Sequence, residues 1–181
     1  DQIAAAYGGF NKITFNVGGG FNVRPYSMNQ KIIKKLNKNL LLLYTGRKRT
    51  AHHIAKGYVD KLQTSKKSHI LEISNFVKEG EKILKRGNLD DFGRLLHESW
   101  LEKKSLSSLI SNSTINAIYE KALTKGALGG KLLGAGGGGF FVFYVPHWKQ
   151  KQFIQYFKKF ITIPFKFTSE GSKIIFRNFD N

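Results

Sequence analysis

The chain has 181 residues, of which 41% are hydrophobic and 23% are charged, so it can bury a core and is not a disordered polypeptide. It contains no cysteine, which excludes disulfides, thiolate metal sites and a thiol nucleophile. Its formal net charge of +18 raises nucleic acid or an anionic membrane surface as partners.

The basic residues are a generic surface rather than a nucleic-acid-binding pattern. Of the 30, 24 are lysine and six are arginine, although forked recognition of phosphates and base edges favours arginine. The longest apolar runs, residues 40–44 and 140–145, are far shorter than the roughly 20 residues of a membrane-spanning helix. The first ten residues lack a secretory signal and an initiator methionine. We therefore expect a cytoplasmic protein, without a membrane segment, whose upstream part has been removed.

The first predicted elements are short strands. Residues 10–24 alternate around three glycines, residues 18–20, which predicts a hairpin that ends at Pro25. After a lysine-rich join, residues 40–44 predict a buried strand. We place a domain boundary here, with residues 1–37 finishing one domain and residues 38–181 forming the next.

Helical periodicity follows between residues 50 and 125. Apolar side chains recur at helical spacing in three successive segments. These are Ile54, Tyr58 and Leu62; then Ile70, Ile73, Val77 and Leu84; then Leu89, Phe92, Leu96 and Trp100. We expect Asn88 to cap the third helix, with Asp90 and Asp91 in its first turn. A fourth helix is predicted from Ser113 to Gly126.

The carboxyl-terminal part returns to mixed structure. Residues 140–145 predict a strand, residues 147–160 a helix, and residues 165–167 and 174–176 two short strands. Because helices and strands alternate along the chain, the predicted fold class is α+β, with a mostly antiparallel sheet covered by helices.

A glycine cluster, GALGGKLLGAGGGG, precedes the strand at residue 140. A flexible linker would carry more polar residues, so we expect a bend inside a folded region. Gly134, Gly136 and Gly139 satisfy G-x-G-x-x-G, but that fingerprint follows a strand and opens a helix, whereas here we expect a helix before and a strand after. A Walker A loop would need other residues around Lys131. What remains is a backbone that can point several N–H groups at a phosphate, or support such a cradle.

Three stretches together resemble the GHMP kinases, the family of galactokinase, homoserine kinase, mevalonate kinase and phosphomevalonate kinase. GAGGGGFFVFYV resembles the third family signature, DQIAAAYGGF the segment with the catalytic aspartate, and residues 92–111 the helix before the glycine loop. HESW and GALGGKLLGAGGGGF are most similar to the D-glycero-D-manno-heptose 7-phosphate kinase branch, although galactokinase-like and fucose-salvage enzymes share much of this wording.

The resemblance implies the end of a ribosomal-protein-S5-like domain followed by a ferredoxin-like carboxyl-terminal domain. It implies ATP and Mg²⁺ as cofactors and phosphorylation of a sugar phosphate at its anomeric hydroxyl. Asp1 would orient or deprotonate that hydroxyl. The residues that would shape the phosphate site are Gly134, Ala135, Gly136, Gly137 and Gly138.

The sequence departs from the family in one respect. The upstream glycine-serine loop that binds ATP in the family does not occur in these 181 residues. We therefore expect that the amino-terminal half of the enzyme is missing and that the chain alone is inactive. His97 and Glu98 project about 100° apart on a helix, so we assign no metal ligand within this chain.

A phosphorylated sugar also needs cationic ligands for its distal phosphate. Candidates are Arg47 and Arg49 after a predicted turn, and Lys103 and Lys104 on a predicted helix. For each of them a solvated surface position is the competing interpretation. The competing functions are a basic nucleic-acid-binding module and a degenerate paralogue retained for subunit contacts.

Overall fold

The computed structural model describes residues 2–47 and 64–176. Contacts between Cα atoms divide the chain into two compact units. The first unit combines Asp1–Asn29 with Lys166–Asn181, and the second is Gln30–Phe165. No helix in the described residues is both long enough and apolar enough to cross a bilayer. The boundary predicted between residues 37 and 38 concerns family domains, and it stays a prediction.

The first unit begins with a short helix and a hairpin. Helix α1 is Gln2–Tyr7, and strands β1 (Asn11–Phe15) and β2 (Phe21–Pro25) pair antiparallel from Asn11↔Pro25 to Phe15↔Phe21. The three turn glycines at residues 18–20 have φ of 88°, 98° and 75°, which side chains bearing a Cβ avoid. The hairpin predicted around these glycines is confirmed.

The carboxyl-terminal segment of this unit forms backbone bonds to the α1 region. Gly9 N donates to Thr168 O, and Ser172 N donates to Ala6 O, each at 2.9 Å. A Cβ at Gly171 would lie 2.0 Å from Ala6 O, so only glycine allows this approach. The strands predicted at 165–167 and 174–176 are wrong, because neither segment pairs with another strand in the structure.

The second unit contains a four-stranded sheet and five described helices. The strands are β3 (Leu40–Tyr44), β4 (Gly129–Leu132), β5 (Phe140–Tyr144) and β6 (Thr162–Pro164). The helices are α2 (Gln30–Asn39), α3 (Lys67–Arg86), α4 (Leu89–Leu106), α5 (Ser113–Thr124) and α6 (His147–Tyr156). The sheet order is β4-β5-β3-β6, and every pair is antiparallel. Helices separate β3 from β4 and β5 from β6, which is the ferredoxin-like β-α-β-β-α-β arrangement. The α+β class is confirmed, and the S5-like amino-terminal domain stays a prediction.

The core lies between this sheet and its helices. Strand β3 pairs with β5 on one side and β6 on the other, as expected for a buried strand of four leucines. Phe141 and Phe143 alternate along β5 onto one face and are fully buried. The Trp100 ring meets Phe141 edge-on at 5.6 Å between centroids. Aromatic packing thus fixes α4 against the sheet.

Helix α4 also lies unusually close to the edge strand β4. A Cβ at Gly129 would lie 2.1 Å from Gly93 O, and a Cβ at Gly93 would lie 2.8 Å from the Tyr144 ring. The two glycines therefore let the helix backbone rest on the strand with no side chain between them. This contact brings the side chains of the second half of α4 to the loop that follows β4.

The helix predictions hold for the described segments, with two corrections at the ends. The segment at residues 54–62 lies outside the described residues, whereas α3, α4 and α5 form where periodicity predicts them. Asn88 precedes α4 but does not cap it, because its amide donates to Asp91 Oδ2 at 2.6 Å instead of accepting from the backbone. Helix α6 ends at Tyr156 rather than at residue 160, where Phe160 N donates to Phe157 O in a turn.

Candidate glycine-loop site

The glycine loop, residues 133–139, joins β4 to β5 at one end of the sheet. It therefore follows a strand, and the expectation that it follows a helix is wrong. The dinucleotide fingerprint is still excluded, because a strand and not a helix comes next. Four of its glycines have positive φ: Gly134 at 70°, Gly136 at 120°, Gly137 at 74° and Gly139 at 95°.

Two neighbouring backbones hold the loop. Gly137 N donates to Ile110 O at 2.7 Å, and Gly139 N donates to Arg47 O at 2.9 Å. A Cβ at Gly136 would lie 2.8 Å from the Ile110 Cα atom, and one at Gly138 would lie 2.8 Å from Arg47 O. Both positions therefore require glycine for close approach and not for flexibility.

Several N–H groups of the loop have no acceptor within the described residues. They belong to Gly134, Ala135, Gly136 and Gly138. Successive backbone N–H groups in a glycine-rich turn form a concave surface that favours anions. The chemistry of the loop is therefore compatible with a phosphate-binding or phosphate-supporting element, and that role stays a prediction.

Two lysines stand behind the beginning of this loop. Lys103 Nζ donates to Leu132 O at 2.8 Å and also to Gly134 O, while Lys131 Nζ donates to Ser99 Oγ at 2.7 Å. Burial, and then the charge of Lys131, lower the pKa of Lys103 to about 8, and burial also lowers the pKa of Lys131. Neither ammonium meets a carboxylate in the part of the chain that the structure describes. Among the described side chains, none therefore compensates the positive charge at this end of the loop.

Lys131 was not among the residues that the sequence singled out. The spacing from Gly129 could have indicated it. Lys131 lies two residues after Gly129 on β4, so its side chain projects from the same face of the strand, toward α4. Lys103 was singled out as a candidate phosphate ligand, and in the structure its ammonium donates to the last carbonyl of β4 and to one carbonyl of the glycine loop.

Arg47 lies beside the other end of the loop. A cleft of about 680 Å³ opens there, and its lining includes Tyr44, Arg47, Gly138, Phe140 and Ile163. The Arg47 guanidinium donates from Nη2 to Thr114 Oγ1 at 3.4 Å. The structure thus brings together Arg47 and the glycine loop, two features that lie about half the described chain apart in sequence.

The remaining predicted site residues are distributed as follows. Lys104 faces a second pocket next to Trp100, and its ammonium lies 5.6 Å from the centroid of that ring. Asp1 and Arg49 lie outside the described residues.

No group of three potential metal ligands occurs among the described residues. His97 Nδ1 instead lies 2.8 Å from the Tyr119 hydroxyl oxygen, and burial raises the pKa of that tyrosine. This pair is an interior hydrogen bond between α4 and α5.

Comparison with known proteins identifies relatives of this arrangement. Residues 81–160 match the family model described as GHMP kinases C terminal. The chain is 32% identical over 179 residues to a D-glycero-alpha-D-manno-heptose 7-phosphate kinase from Campylobacter jejuni, covering 96% of this chain and 52% of that protein. It is 31% identical over 146 residues to a bifunctional fucokinase/GDP-fucose pyrophosphorylase from Arabidopsis thaliana, covering 77% of this chain and 14% of that protein. The chain therefore spans about half of the heptose 7-phosphate kinase and a smaller share of the bifunctional enzyme.

Solved structures give the same picture of the fold. A D-glycero-D-manno-heptose 1-phosphate kinase from Bacteroides thetaiotaomicron superposes with a TM-score of 0.63 at 25% identity, over 96% of this chain and 48% of that one. A putative sugar kinase from Campylobacter jejuni gives 0.64 at 29% identity, over 94% and 48%. Mevalonate kinase from L. major gives 0.69 at 20% identity, over 87% and 47%, and at that identity it supports the fold alone.

Proposed function

We propose, on the premise that this chain contains the carboxyl-terminal domain of a GHMP kinase, that it serves a kinase which transfers a phosphoryl group from ATP to a sugar phosphate. The observation that carries this proposal is the identity of 32% with a heptose 7-phosphate kinase over 96% of the chain. The glycine loop, with its free N–H groups and two nearby ammonium groups, supplies matching chemistry for phosphate oxygens.

The proposed acceptor is D-glycero-D-manno-heptose 7-phosphate, phosphorylated at its anomeric hydroxyl. Support comes from the two heptose kinases among the relatives. A galactokinase-like or fucokinase-like acceptor is the alternative, supported by fucokinase relatives at 31% and 33% identity.

The proposed step forms a bond between the acceptor oxygen and the γ-phosphorus of ATP and breaks the bond from that phosphorus to the β–γ bridging oxygen. ADP leaves with the bonding electrons, and the hydroxyl proton passes to the carboxylate of Asp1. In such transfers positioning and electrostatic stabilisation do most of the work. Arg47 and Arg49 are proposed to contact phosphate, while the loop residues from Gly134 to Gly138 shape the site.

Mg²⁺ would neutralise charge on the β- and γ-phosphates when bound. The described residues present hydrogen-bond donors and include no group of three histidine, aspartate or glutamate side chains. We therefore assign the ion to none of these residues.

The proposed kinase is tested with a chimera. The part of the Campylobacter jejuni heptose 7-phosphate kinase that precedes the 179-residue match is joined to these 181 residues. We expect release of ADP that depends on the heptose 7-phosphate and exceeds that with galactose or fucose. The 181-residue chain alone should release none, because it contains no glycine-serine loop for ATP.

Two controls make the assay decisive. Asp1→Asn in the chimera should abolish turnover while leaving a folded protein by circular dichroism. A folded chimera that hydrolyses no ATP with any sugar or sugar phosphate would contradict the proposal, as would full activity of the 181-residue chain by itself.

A further inference from the structure

A polar pocket lies between the end of α4 and the start of α5. Its volume is about 450 Å³, within the range of small-molecule sites. Its polar lining consists of Lys104, Ser105, Ser107, Ser108, Ser111 and Asn116. All of these residues belong to the second unit, and none of the described residues that line the pocket is an aspartate or glutamate.

Several hydrogen-bond donors that line the pocket have no acceptor among the described residues. Ser107 Oγ accepts from Leu109 N at 3.2 Å, and its own hydroxyl hydrogen has no acceptor among the residues that the structure describes. Asn116 Oδ1 accepts from Ser111 Oγ at 2.8 Å, which leaves the two N–H groups of the Asn116 amide without an acceptor in the described residues. The Ser108 hydroxyl has no hydrogen-bond partner within those residues either.

Lys104 adds a cation to these donors. Its ammonium lies 5.6 Å from the Trp100 centroid and 6.0 Å from that of Tyr119, and it meets no carboxylate in the described parts of the chain. A cation over an aromatic face at a partly exposed site is only weakly stabilised by that contact. The flexible side chain of Lys104 can therefore move its ammonium toward an anion in the pocket at little cost in cation–π energy.

The α4–α5 pocket and the cleft beside Arg47 differ in the polarity of their lining residues. That cleft has aromatic and aliphatic walls formed by Tyr44, Phe140 and Ile163, which suit an apolar ring. The α4–α5 pocket has hydroxyl, amide and ammonium groups, which suit a polyhydroxylated ligand that carries a negative charge.

The pocket is also mechanically connected to the glycine loop. Ile110 lies among the serines that line the pocket, residues 105–111. Its N–H donates to Ser107 O at 3.1 Å, and its carbonyl accepts from Gly137 N in the glycine loop. A ligand that orders this segment therefore acts on the backbone that holds the loop.

We propose that the α4–α5 pocket binds the phosphate-bearing end of the sugar phosphate, with Lys104 supplying the charge and Ser107, Ser108 and Asn116 the hydrogen bonds. The identity of the ligand rests on the proposed kinase function, whereas the binding itself can be measured on this chain without catalysis.

The test is a nuclear magnetic resonance titration of the ¹⁵N-labelled 181-residue chain with D-mannose 6-phosphate, D-mannose and inorganic phosphate. We expect saturable shifts of the Ser107, Ser108 and Ser111 amides with D-mannose 6-phosphate. Its apparent Kd should be at least about tenfold lower than that of either single component, because both donor types are engaged together. Equal affinity for inorganic phosphate and the sugar phosphate would overturn the proposal.

Variants identify the cation. Lys104→Met should raise the Kd for D-mannose 6-phosphate at least about tenfold, the loss expected for a charge-assisted contact. Lys125→Met is the matched control, since Lys125 also places its ammonium over an aromatic ring, 4.5 Å from the Tyr156 centroid. It should bind like the parent chain. Equal Kd values for the two variants would overturn the role of Lys104.

A second variant keeps the proposal testable if the Lys104→Met protein does not fold. Ser108→Ala changes an exposed side chain and should weaken binding at least about threefold by removing one donor. Unchanged binding in Ser108→Ala and the absence of any shift in the parent chain would each overturn the pocket assignment. Failure here with an active chimera separates this inference from the kinase proposal, which the release of ADP decides alone.

Discussion

Gly93 and Gly129 act at the scale of single residues by removing side chains from the contact between α4 and β4. A Cβ at Gly129 would lie 2.1 Å from Gly93 O and 2.8 Å from His97 N. Both obstacles are backbone atoms of a helix, so neither can rotate away. The sequence shows these glycines but not their contact, because 36 residues separate them.

Gly129→Ala should therefore destabilise the protein by about 2–3 kcal/mol, the cost of forcing a packed helix outward. Gly80→Ala, inside helix α3, is the control. A Cβ at Gly80 would lie 3.4 Å from Leu95 Cδ2, an ordinary van der Waals contact distance. That change should stabilise by about 0.5–1 kcal/mol through the helix preference of alanine. Urea unfolding of the three proteins measures both effects, and equal midpoints for the two variants would contradict the close contact.

The sequence names Lys103 as a candidate ligand for a distal phosphate, and that role stays a prediction. In the structure its ammonium donates to two backbone carbonyls. Its two acceptors, Leu132 O and Gly134 O, are backbone atoms some thirty residues away, and side-chain patterns do not reveal them.

The pH dependence of stability should report the burial of Lys103. Its pKa falls from 10.5 to about 8 on folding, mainly through burial. Between these values the unfolded chain binds more protons, so the free energy of unfolding contributed by this group rises with pH. Lys103→Met should remove part of the rise between pH 7.5 and 9.5, whereas Lys104→Met should retain it. Urea titrations at the two pH values test this, and parallel behaviour of both variants would refute it.

At the scale of elements, helices α3, α4 and α5 were more predictable than the strands at the carboxyl-terminal end, whereas α1 and α2 were not predicted. Helices α3, α4 and α5 carry apolar residues at helical spacing, which is a local signal. Strand β6 lies at Thr162–Pro164, just before the predicted strand at 165–167, because pairing with β3 selects the register. Such a choice depends on a partner about 120 residues away, and propensity within one segment does not contain it.

Helix starts give a matched test of capping. Asn112 Oδ1 accepts from Ile115 N at 3.1 Å at the start of α5, whereas Asn88 accepts nothing from the backbone of α4. Asn112→Ala should lower stability by about 1 kcal/mol, the usual value of a cap. Asn88→Ala should cost less, because it loses only an exposed bond to Asp91. Thermal unfolding of the two variants measures this. A larger decrease in melting temperature for Asn88→Ala than for Asn112→Ala would disprove the assignment of the cap.

At the scale of the whole molecule, charge is the dominant feature. The formal net charge is +18, and its lysines extend through both compact units rather than forming one stripe. The α+β class and the antiparallel sheet were predicted from the alternation of helices and strands, and the family resemblance implied the ferredoxin-like domain. The positions of Asp1 and Arg49 relative to the loop stay predictions.

This charge should produce weak and unselective attraction to polyanions. We expect single-stranded and duplex nucleic acid to bind alike, with Kd of about 10⁻⁴–10⁻⁶ M at physiological salt and a strong decrease in affinity as salt rises. Fluorescence anisotropy at two salt concentrations measures this. Submicromolar binding at physiological salt with preference for one form would favour the nucleic-acid-binding alternative instead.

The discontinuous first unit has a consequence for the order of folding. Its Gly9–Thr168 and Ala6–Ser172 hydrogen bonds join segments more than 150 residues apart, while the second unit is one continuous stretch. The second unit can therefore form its contacts without either flanking segment. The hydrogen bonds of the first unit additionally require closure of the long loop that contains the second unit, which makes their formation the slow, entropically costly step. In refolding experiments on this chain, the contacts of the first unit should thus form after those of the second.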